Sequence, residues 1–288
     1  MLHVLCFMLI DGKKIAEEVK DRVAKEIFDL KGPRPNLAII LIGERPDSKL
    51  YVELKEREAR KVGVDTHLYK CPENIPEQDV LDMIRLLNED ELIDGILVQL
   101  PLPQGFDTDG IILAINPDKD VDCFHPENLK KLFKTCDHYD VMSPVFKSVD
   151  RMLCSIDCNL KNKTVCILAN SDIFGKSLAK TLECKGAQVE VIRADDKDLT
   201  SKTSKADVLI TAIGRPKFIK KEMVKKDAVV IDIGTTKENK KVLGDVDFDD
   251  VEQKTSHITP VPGGVGPMTI AYLFENCLAA YKKKRNSK

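Results

Sequence analysis

Two stretches in the first half of the chain are almost wholly apolar and rich in β-branched residues and leucine: NLAIILIG from Asn36 and GILVQLPLP from Gly95. Apolar residues at consecutive rather than alternate positions suit strands buried on both faces, as parallel strands are. Between them, SKLYVELKEREARKV and EQDVLDMIRLLNED carry apolar residues at helical spacing. The second half repeats the alternation more regularly. It reads as a strand KTVCILAN, a helix GKSLAKTLECKG with a glycine stop, and strands QVEVIRA, ADVLITAIG and DAVVIDIG. This spacing predicts a doubly wound nucleotide-binding sheet. MTIAYLFENCLAAYKKK follows a cluster of proline and glycine and predicts a helix that packs back on the body of the protein. Strand patterning stops near HYDVMSPVFKSVD, where a helix is expected from about Pro144. The expected fold class is α/β in two domains. Residues 1–142, completed by a closing helix over 268–288, form the first, and residues 143–267 form a Rossmann-like second.

With 288 residues, 43% of them hydrophobic, the chain can bury a sizeable core. Its 45 basic residues against 47 acidic ones give a formal net charge of −2, so no overall field recruits nucleic acid or an anionic membrane. The basic run KKKRNSK at the C-terminus reads as a frayed, solubilising tail. Nine cysteines are scattered, without paired metal-ligand spacing, and are expected to be thiols of a cytoplasmic protein that holds no metal. The opening MLHVLCFMLIDGKK has a short apolar run, no basic segment before it and no small-residue cleavage site after it. It reads as an extended start, with Met8 a candidate first residue, or as a short edge strand; it falls short of the roughly 20 apolar residues that span a bilayer.

Several polar residues stand where chemistry could use them. Lys55 lies one helical turn after Tyr51, in a charged run where most lysines serve solubility and i,i+4 pairing. Gln99 ends the strand GILVQ, and the carboxyl ends of parallel strands border the ligand crevice; an amide in an apolar strand must also find hydrogen-bond partners. Asp122 and His125 lie in NPDKDVDCFHPENL, where loop acids are commonly turn-formers or caps. Thr259 to Thr269, TPVPGGVGPMT, is stiff with proline, while its glycines let backbone approach a ligand. In ILANSDIFGKS, between a strand and a helix, Gly175 suits a dinucleotide-binding turn, but Ala169 stands where a glycine is expected.

In this order, the segments LIDGKKIAEEV, SKLYVELK, DGILVQLPLP, PDKDVDCFHPENL, GDVDF and ITPVPGGVGPMT give the chain its resemblance to the bifunctional methylenetetrahydrofolate dehydrogenase/methenyltetrahydrofolate cyclohydrolase family. The resemblance runs from near Leu9 almost to the end. It implies an enzyme of one-carbon metabolism that oxidises 5,10-methylenetetrahydrofolate and hydrolyses the product to 10-formyltetrahydrofolate, in a cleft between a folate-binding catalytic domain and the nucleotide domain. On the matching positions it implies a catalytic set of Lys55, Tyr51, Gln99 and Asp122. Folate contacts are implied from Ser48, Tyr51, Gln99, Asp122, Pro262, Gly263 and Gly266. The implied cofactor is NADP, with NAD the alternative, bound near Ala169, Asn170, Ser171, Gly175, Arg193, Ala194, Gly214 and Thr235. A homodimer, with tetrahydrofolate derivatives as its small-molecule partners, is also implied.

The departures from the family's pattern concentrate in the second half. Ala169, Asn170 and Ser171 replace a Gly-Arg/Ala-Ser turn, and an added methyl there could push the pyrophosphate away. Arg193, Ala194, Asp195 and Asp196 follow the second strand of that half; two carboxylates oppose a 2′-phosphate, whereas an arginine can clamp one. Val141, Met142, Ser143 and Pro144 stand in place of Pro-Cys-Thr-Pro, and Gly234, Thr235 and Thr236 in place of Gly-Ile-Asn. Two alternatives therefore stay open: a cyclohydrolase with an impaired dehydrogenase, and a non-catalytic folate- or nucleotide-binding protein.

Overall fold

The computed structural model describes residues 8–136, 139–238 and 241–286. Met1, Cys6 and the last two residues of the basic tail lie outside the described residues. The first half runs β1 (Met8–Leu9), α1 (Gly12–Asp29), β2 (Asn36–Ile42), α2 (Pro46–Val62), β3 (Asp65–Cys71), α3 (Glu77–Glu89), β4 (Gly95–Val98), α4 (Thr108–Ala114) and α5 (Pro126–Lys134). The second runs α6 (Pro144–Ser155), β5 (Thr164–Ala169), α7 (Asp172–Glu183), β6 (Gln188–Ile192), α8 (Leu199–Thr203), β7 (Val208–Ala212), β8 (Ala228–Asp232), β9 (Thr236–Glu238), β10 (Lys241–Leu243), α9 (Phe248–Val251), β11 (Thr255–Ile258) and α10 (Val265–Asn286). Two compact units result. One comprises residues 16–144 and 270 onward; the other comprises the residues up to Ile15 together with Val145–Thr269.

In the first unit β2 is central, with β3 and β4 parallel on either side. Ala38, Ile40 and Ile42 pack with Val80 and Ile84 of α3 and Ile111 of α4. The alternate residues Leu37, Ile39 and Leu41 are buried as well, which is why NLAIILIG is apolar at every position. The sequence pattern misses β3, because DTHLYKC alternates between exposed and half-buried positions and carries polar side chains, yet all seven of its residues are in register with β2.

The buried Lys20 of α1 pairs with Glu58 of α2 and with the largely exposed Glu17. Burial pushes the Glu58 carboxyl up, but hydrogen bonds from Lys20, Lys61 and Arg57 outweigh it and bring its pKa down to about 2. An unfolded glutamate titrates near about 4.3, so this stabilisation is complete above that pH and is lost as pH falls through the folded value. Glu58→Ala leaves the Lys20 ammonium buried with only Glu17 and is expected to cost about 3 kcal/mol in urea unfolding at neutral pH. A loss below about 1 kcal/mol, the range of exposed pairs, would refute that account.

The second unit carries a sheet ordered β6-β5-β7-β8-β11-β1, with every neighbouring pair parallel. The strand order reverses between β5 and β7, the switch point at which doubly wound sheets open a ligand crevice. The first described residues form a short edge strand, Met8–Leu9 pairing with His257–Ile258. Sequence reading groups residues 1–15 with the first domain; this ladder, and Gly12 seated against the Gly264 carbonyl, give the described part of that segment to the second unit instead. Among the described residues no helix is long and apolar enough to cross a membrane. Cys71, Cys154, Cys158, Cys166 and Cys277 lie outside any disulfide, whereas Cys136 and Cys184 are disulfide-bonded, against the expectation of thiols throughout.

Candidate functional site

In the first unit, α2 begins with Pro46 in its first turn and ends at Gly63 in the left-handed conformation, the usual stop. Ser48, Val52, Lys55, Ala59 and Val62 recur at i, i+4, i+7, i+11 and i+14 and so share one face. Four of these five are buried, and Lys55 is the charged residue in a stripe that otherwise faces the core. That spacing is the sequence signal that separates Lys55 from the solvated lysines around it.

Lys55 Nζ donates to Gln99 Oε1 at 2.8 Å. Gln99 follows directly on β4, where its backbone N–H extends the ladder to the Ile40 carbonyl, and its side-chain Nε2 donates to the Leu100 carbonyl at 2.7 Å. The amide is thereby oriented with its oxygen toward the lysine. Removal of water pushes the Lys55 amine below its ordinary pKa, and the charge of Asp122 opposes that shift. Burial pushes the Asp122 carboxyl up to about 6, with Lys55 drawing it down and Asp120 pushing it further up. Tyr51 lies half-buried one turn before Lys55. Ser48, 3% exposed, has a buried hydroxyl that meets no hydrogen-bond partner among the described residues; buried hydroxyls rarely stay unpaired unless a ligand or water is to supply the partner.

Sequence reading misses what aims Asp122. Asp120 is buried, and its carboxylate accepts from the backbone N–H of Cys123 at 3.0 Å and of His125 at 2.7 Å, and from Asn128 Nδ2 at 3.2 Å. Asn276 of α10 donates to the Val121 carbonyl at 2.8 Å. Cys123 adopts φ +60°, a conformation that non-glycine residues take only when their surroundings impose it. The acid-rich run DKDVD hinted at Asp120; no local signal pointed to Asn276. His125, a candidate from sequence, caps α5 by accepting from Glu127 N–H.

In the second unit, α7 starts at the end of β5. Ser171 caps it, accepting from Phe174 N–H at 3.3 Å. Gly175 packs so close to β6 that an added Cβ would lie 2.5 Å from Val191 Cγ1. Asn170 Nδ2 donates to the Ile213 carbonyl at 2.7 Å, bridging the strand ends at the switch point. Arg193, after β6, donates to Asp172 Oδ1 at 3.1 Å. Asp196 is engaged by Lys202 at 2.9 Å and by Asp198 N–H at 2.8 Å. Gly214 is exposed after β7; Ala194 and Thr235 are half-buried. In the segment before α10, Gly263 has φ +114° and its carbonyl accepts from Lys13 N–H at 3.1 Å. Pro262 beside it is exposed, and Gly266 lies in the first turn of α10.

Profiles of two domains account for nearly the whole chain. The catalytic domain of tetrahydrofolate dehydrogenase/cyclohydrolase matches residues 10–122, and its NAD(P)-binding domain matches residues 144–285. A bifunctional FolD protein from a Nitratiruptor species is 41% identical over 97% of this chain and 99% of its own. The chain belongs to the tetrahydrofolate dehydrogenase/cyclohydrolase family. Among solved structures, the bifunctional FolD enzyme from Campylobacter jejuni is 37% identical, covers 96% of this chain and 99% of its own, and superimposes with a TM-score of 0.89. The FolD enzyme of Trypanosoma brucei, complexed with NADP and an inhibitor, is 31% identical with a TM-score of 0.91, over 96% of this chain and 98% of its own.

For a dehydrogenase/cyclohydrolase, the departure at Ala169 needs a physical account. Its methyl is buried, 3% exposed, and lies 3.7 Å from where a Cβ on Gly175 would stand. It therefore fills the strand–helix interface beneath α7. The features a dinucleotide requires are present: a parallel switch point, a capped helix N-terminus and a close-packed glycine in its first turn.

Proposed function

We infer that this chain is a bifunctional methylenetetrahydrofolate dehydrogenase and methenyltetrahydrofolate cyclohydrolase, acting in one-carbon folate metabolism, with Lys55, Gln99 and Asp122 of the first unit in the folate chemistry and the carboxyl edge of the second sheet for the cofactor. The observation that carries the catalytic assignment is the hydrogen bond from Lys55 to Gln99 in a setting that depresses the lysine's pKa. A lysine so placed exchanges its proton more readily near neutral pH than a solvated one.

Bound at the second sheet, the nicotinamide supplies the acceptor for the hydride leaving the folate's methylene bridge. Lys55 as the ammonium polarises the folate, and as the amine takes a proton from the water that attacks the methenyl carbon. Gln99 holds that amine at a fixed angle, and Tyr51 supplies shape and a hydrogen bond. Asp122 offers acceptors to the amino-pyrimidine edge of the pterin, which presents donors, and Ser48 contributes the unpaired hydroxyl. Pro262 and Gly263, before α10, and Gly266, in its first turn, offer backbone to the folate, as the family resemblance implies.

NADP is the cofactor we assign. Asp196 is neutralised by Lys202, and the exposed guanidinium of Arg193 sits at the end of β6, suited to a 2′-phosphate. Arg193→Ala is expected to raise the KM for NADP about tenfold or more, the loss of one charged hydrogen-bonding partner, with little change for NAD; equal effects on both cofactors would remove the assignment. Ala169→Gly is expected to cost about 1 kcal/mol of stability through a lost buried methyl and a freer backbone. It should leave dinucleotide affinity within about twofold, since the methyl faces the interior. Markedly tighter binding would mean instead that the methyl obstructs the pyrophosphate. A cytoplasmic homodimer completes the reading.

The deciding experiment incubates purified protein with 5,10-methylenetetrahydrofolate and NADP or NAD in parallel, and follows methenyltetrahydrofolate hydrolysis separately. Nicotinamide reduction together with hydrolysis supports the bifunctional reading. Hydrolysis alone leaves a cyclohydrolase, and folate binding without turnover leaves a binding protein.

A further inference from the structure

The motif GDVDF, Gly244–Phe248, has no part in the chemistry above, yet its first aspartate is among the most buried charged groups of the protein. Asp245 is 0% exposed and Asp232, at the end of β8, is 2% exposed. Asp245 Oδ2 accepts from Thr211 Oγ1 at 2.9 Å and from Ile213 N–H at 2.7 Å, and its Oδ1 accepts from Arg215 N–H at 2.8 Å. Asp232 Oδ1 accepts from Gly234 N–H at 2.9 Å and from Asp245 N–H at 3.1 Å, and its Oδ2 accepts from Val246 N–H at 2.8 Å. The backbone N–H of Asp232 in turn donates to Thr259 Oγ1 at 2.8 Å. Among the described residues neither carboxylate has an ion-pair partner.

This arrangement is built around acceptors. Six donors, five of them backbone amides, converge on four carboxylate oxygens, and they come from the end of β7 and the loop after it, the turn after β8 and the 244–246 strap. A Cβ on Gly234 would overlap the Asp245 carboxylate, and one on Gly244 would overlap that of Asp232, so the backbone is moulded to both acids. Carboxylates buried without cations are costly. Their retention beside Gly214 and Thr235 asks for a return in function.

We propose that Asp245 and Asp232 are positioning residues for the dinucleotide: too buried to touch it, they fix the 213–215 loop and the Gly234 turn in the shape that receives it. The proposal rests on the dehydrogenase reading above. Asparagine at 245 replaces one acceptor by a donor and must face either Arg215 N–H or the Thr211 and Ile213 donors with an N–H of its own. The loop is then released at one point while β7 and β8 keep their ladders. The hydroxyl of Thr211, 0% exposed, donates to Asp245, so its removal acts on the loop through that acid.

The test measures NADP binding to the full chain by calorimetry and methenyltetrahydrofolate hydrolysis on the same preparations. Asp245→Asn is expected to raise the dissociation constant for NADP about tenfold or more, and Thr211→Val about threefold, while hydrolysis falls far less than binding in both. Proportionate losses of binding and hydrolysis, or NADP affinity within about twofold of the parent in a folded Thr211→Val protein, would overturn the proposal. Should Asp245→Asn fail to fold, Thr211→Val alone decides. A parent that binds neither NADP nor NAD sinks the dehydrogenase reading itself, whereas a parent that binds and variants that bind equally well sink only this inference.

Discussion

Lys55→Met is expected to lower methenyltetrahydrofolate hydrolysis by about 10²–10⁴-fold, the range associated with loss of a positioned general acid or base. Methionine keeps an unbranched stem on the face of α2 shared with the buried Val52 and Ala59, and it removes an amine whose depressed pKa reports a desolvation cost. The variant should therefore unfold within about 1 kcal/mol of the parent, as volume-conserving core exchanges do. The paired measurements are a single-turnover hydrolysis assay and a urea melt. Hydrolysis within tenfold of the parent in a folded variant would remove Lys55 from the chemistry.

Asp122→Asn is expected to change both affinity and pH dependence. Losing a charged acceptor for the pterin should weaken folate binding by about 10- to 100-fold. The sign of the pH effect follows from the raised pKa: the carboxylate is present above about pH 6 and is protonated below it. In the parent, kcat/KM for methylenetetrahydrofolate oxidation should fall as pH drops through about 6, because protonation replaces an acceptor by a donor. Asparagine cannot titrate, so that acid limb should vanish. The variant also withdraws the charge that supports the Lys55 ammonium, which moves the rise of hydrolysis with pH, set by Lys55 as the amine, to lower pH. An acid limb unchanged in Asp122→Asn would assign the titration to another group.

What could be read from the sequence was whatever depends on neighbours along the chain. The strands NLAIILIG and GILV, the regular alternation after Pro144 and the closing helix are each specified by local patterning and recur in the structure. The β3 strand was missed because its half-exposed residues lack the apolar run that marks its neighbours, and its pairing with β2 supplies what its own composition does not. The same division runs through the site. Lys55 and Gln99 were recognisable by motif, and helical spacing explains why the lysine is desolvated. The orientation of Asp122 depends on Asp120 and on an asparagine far along the chain, and the direction of the Ala169 methyl depends on where Gly175 packs. Neither can be seen without the fold.

The link from Asn276 to the Val121 carbonyl also bears on biosynthesis. The first unit is closed by residues from Ile270 onward, which are synthesised well after residues 16–144. A nascent chain that has already emitted Lys55, Gln99 and Asp122 still lacks the tether on the Asp122 loop, and its three-stranded sheet lacks part of its cover. The Val121 carbonyl thus gains this tether only once the segment from Ile270 has been made. Neither unit corresponds to a single continuous stretch that could be cut from the gene and expressed on its own.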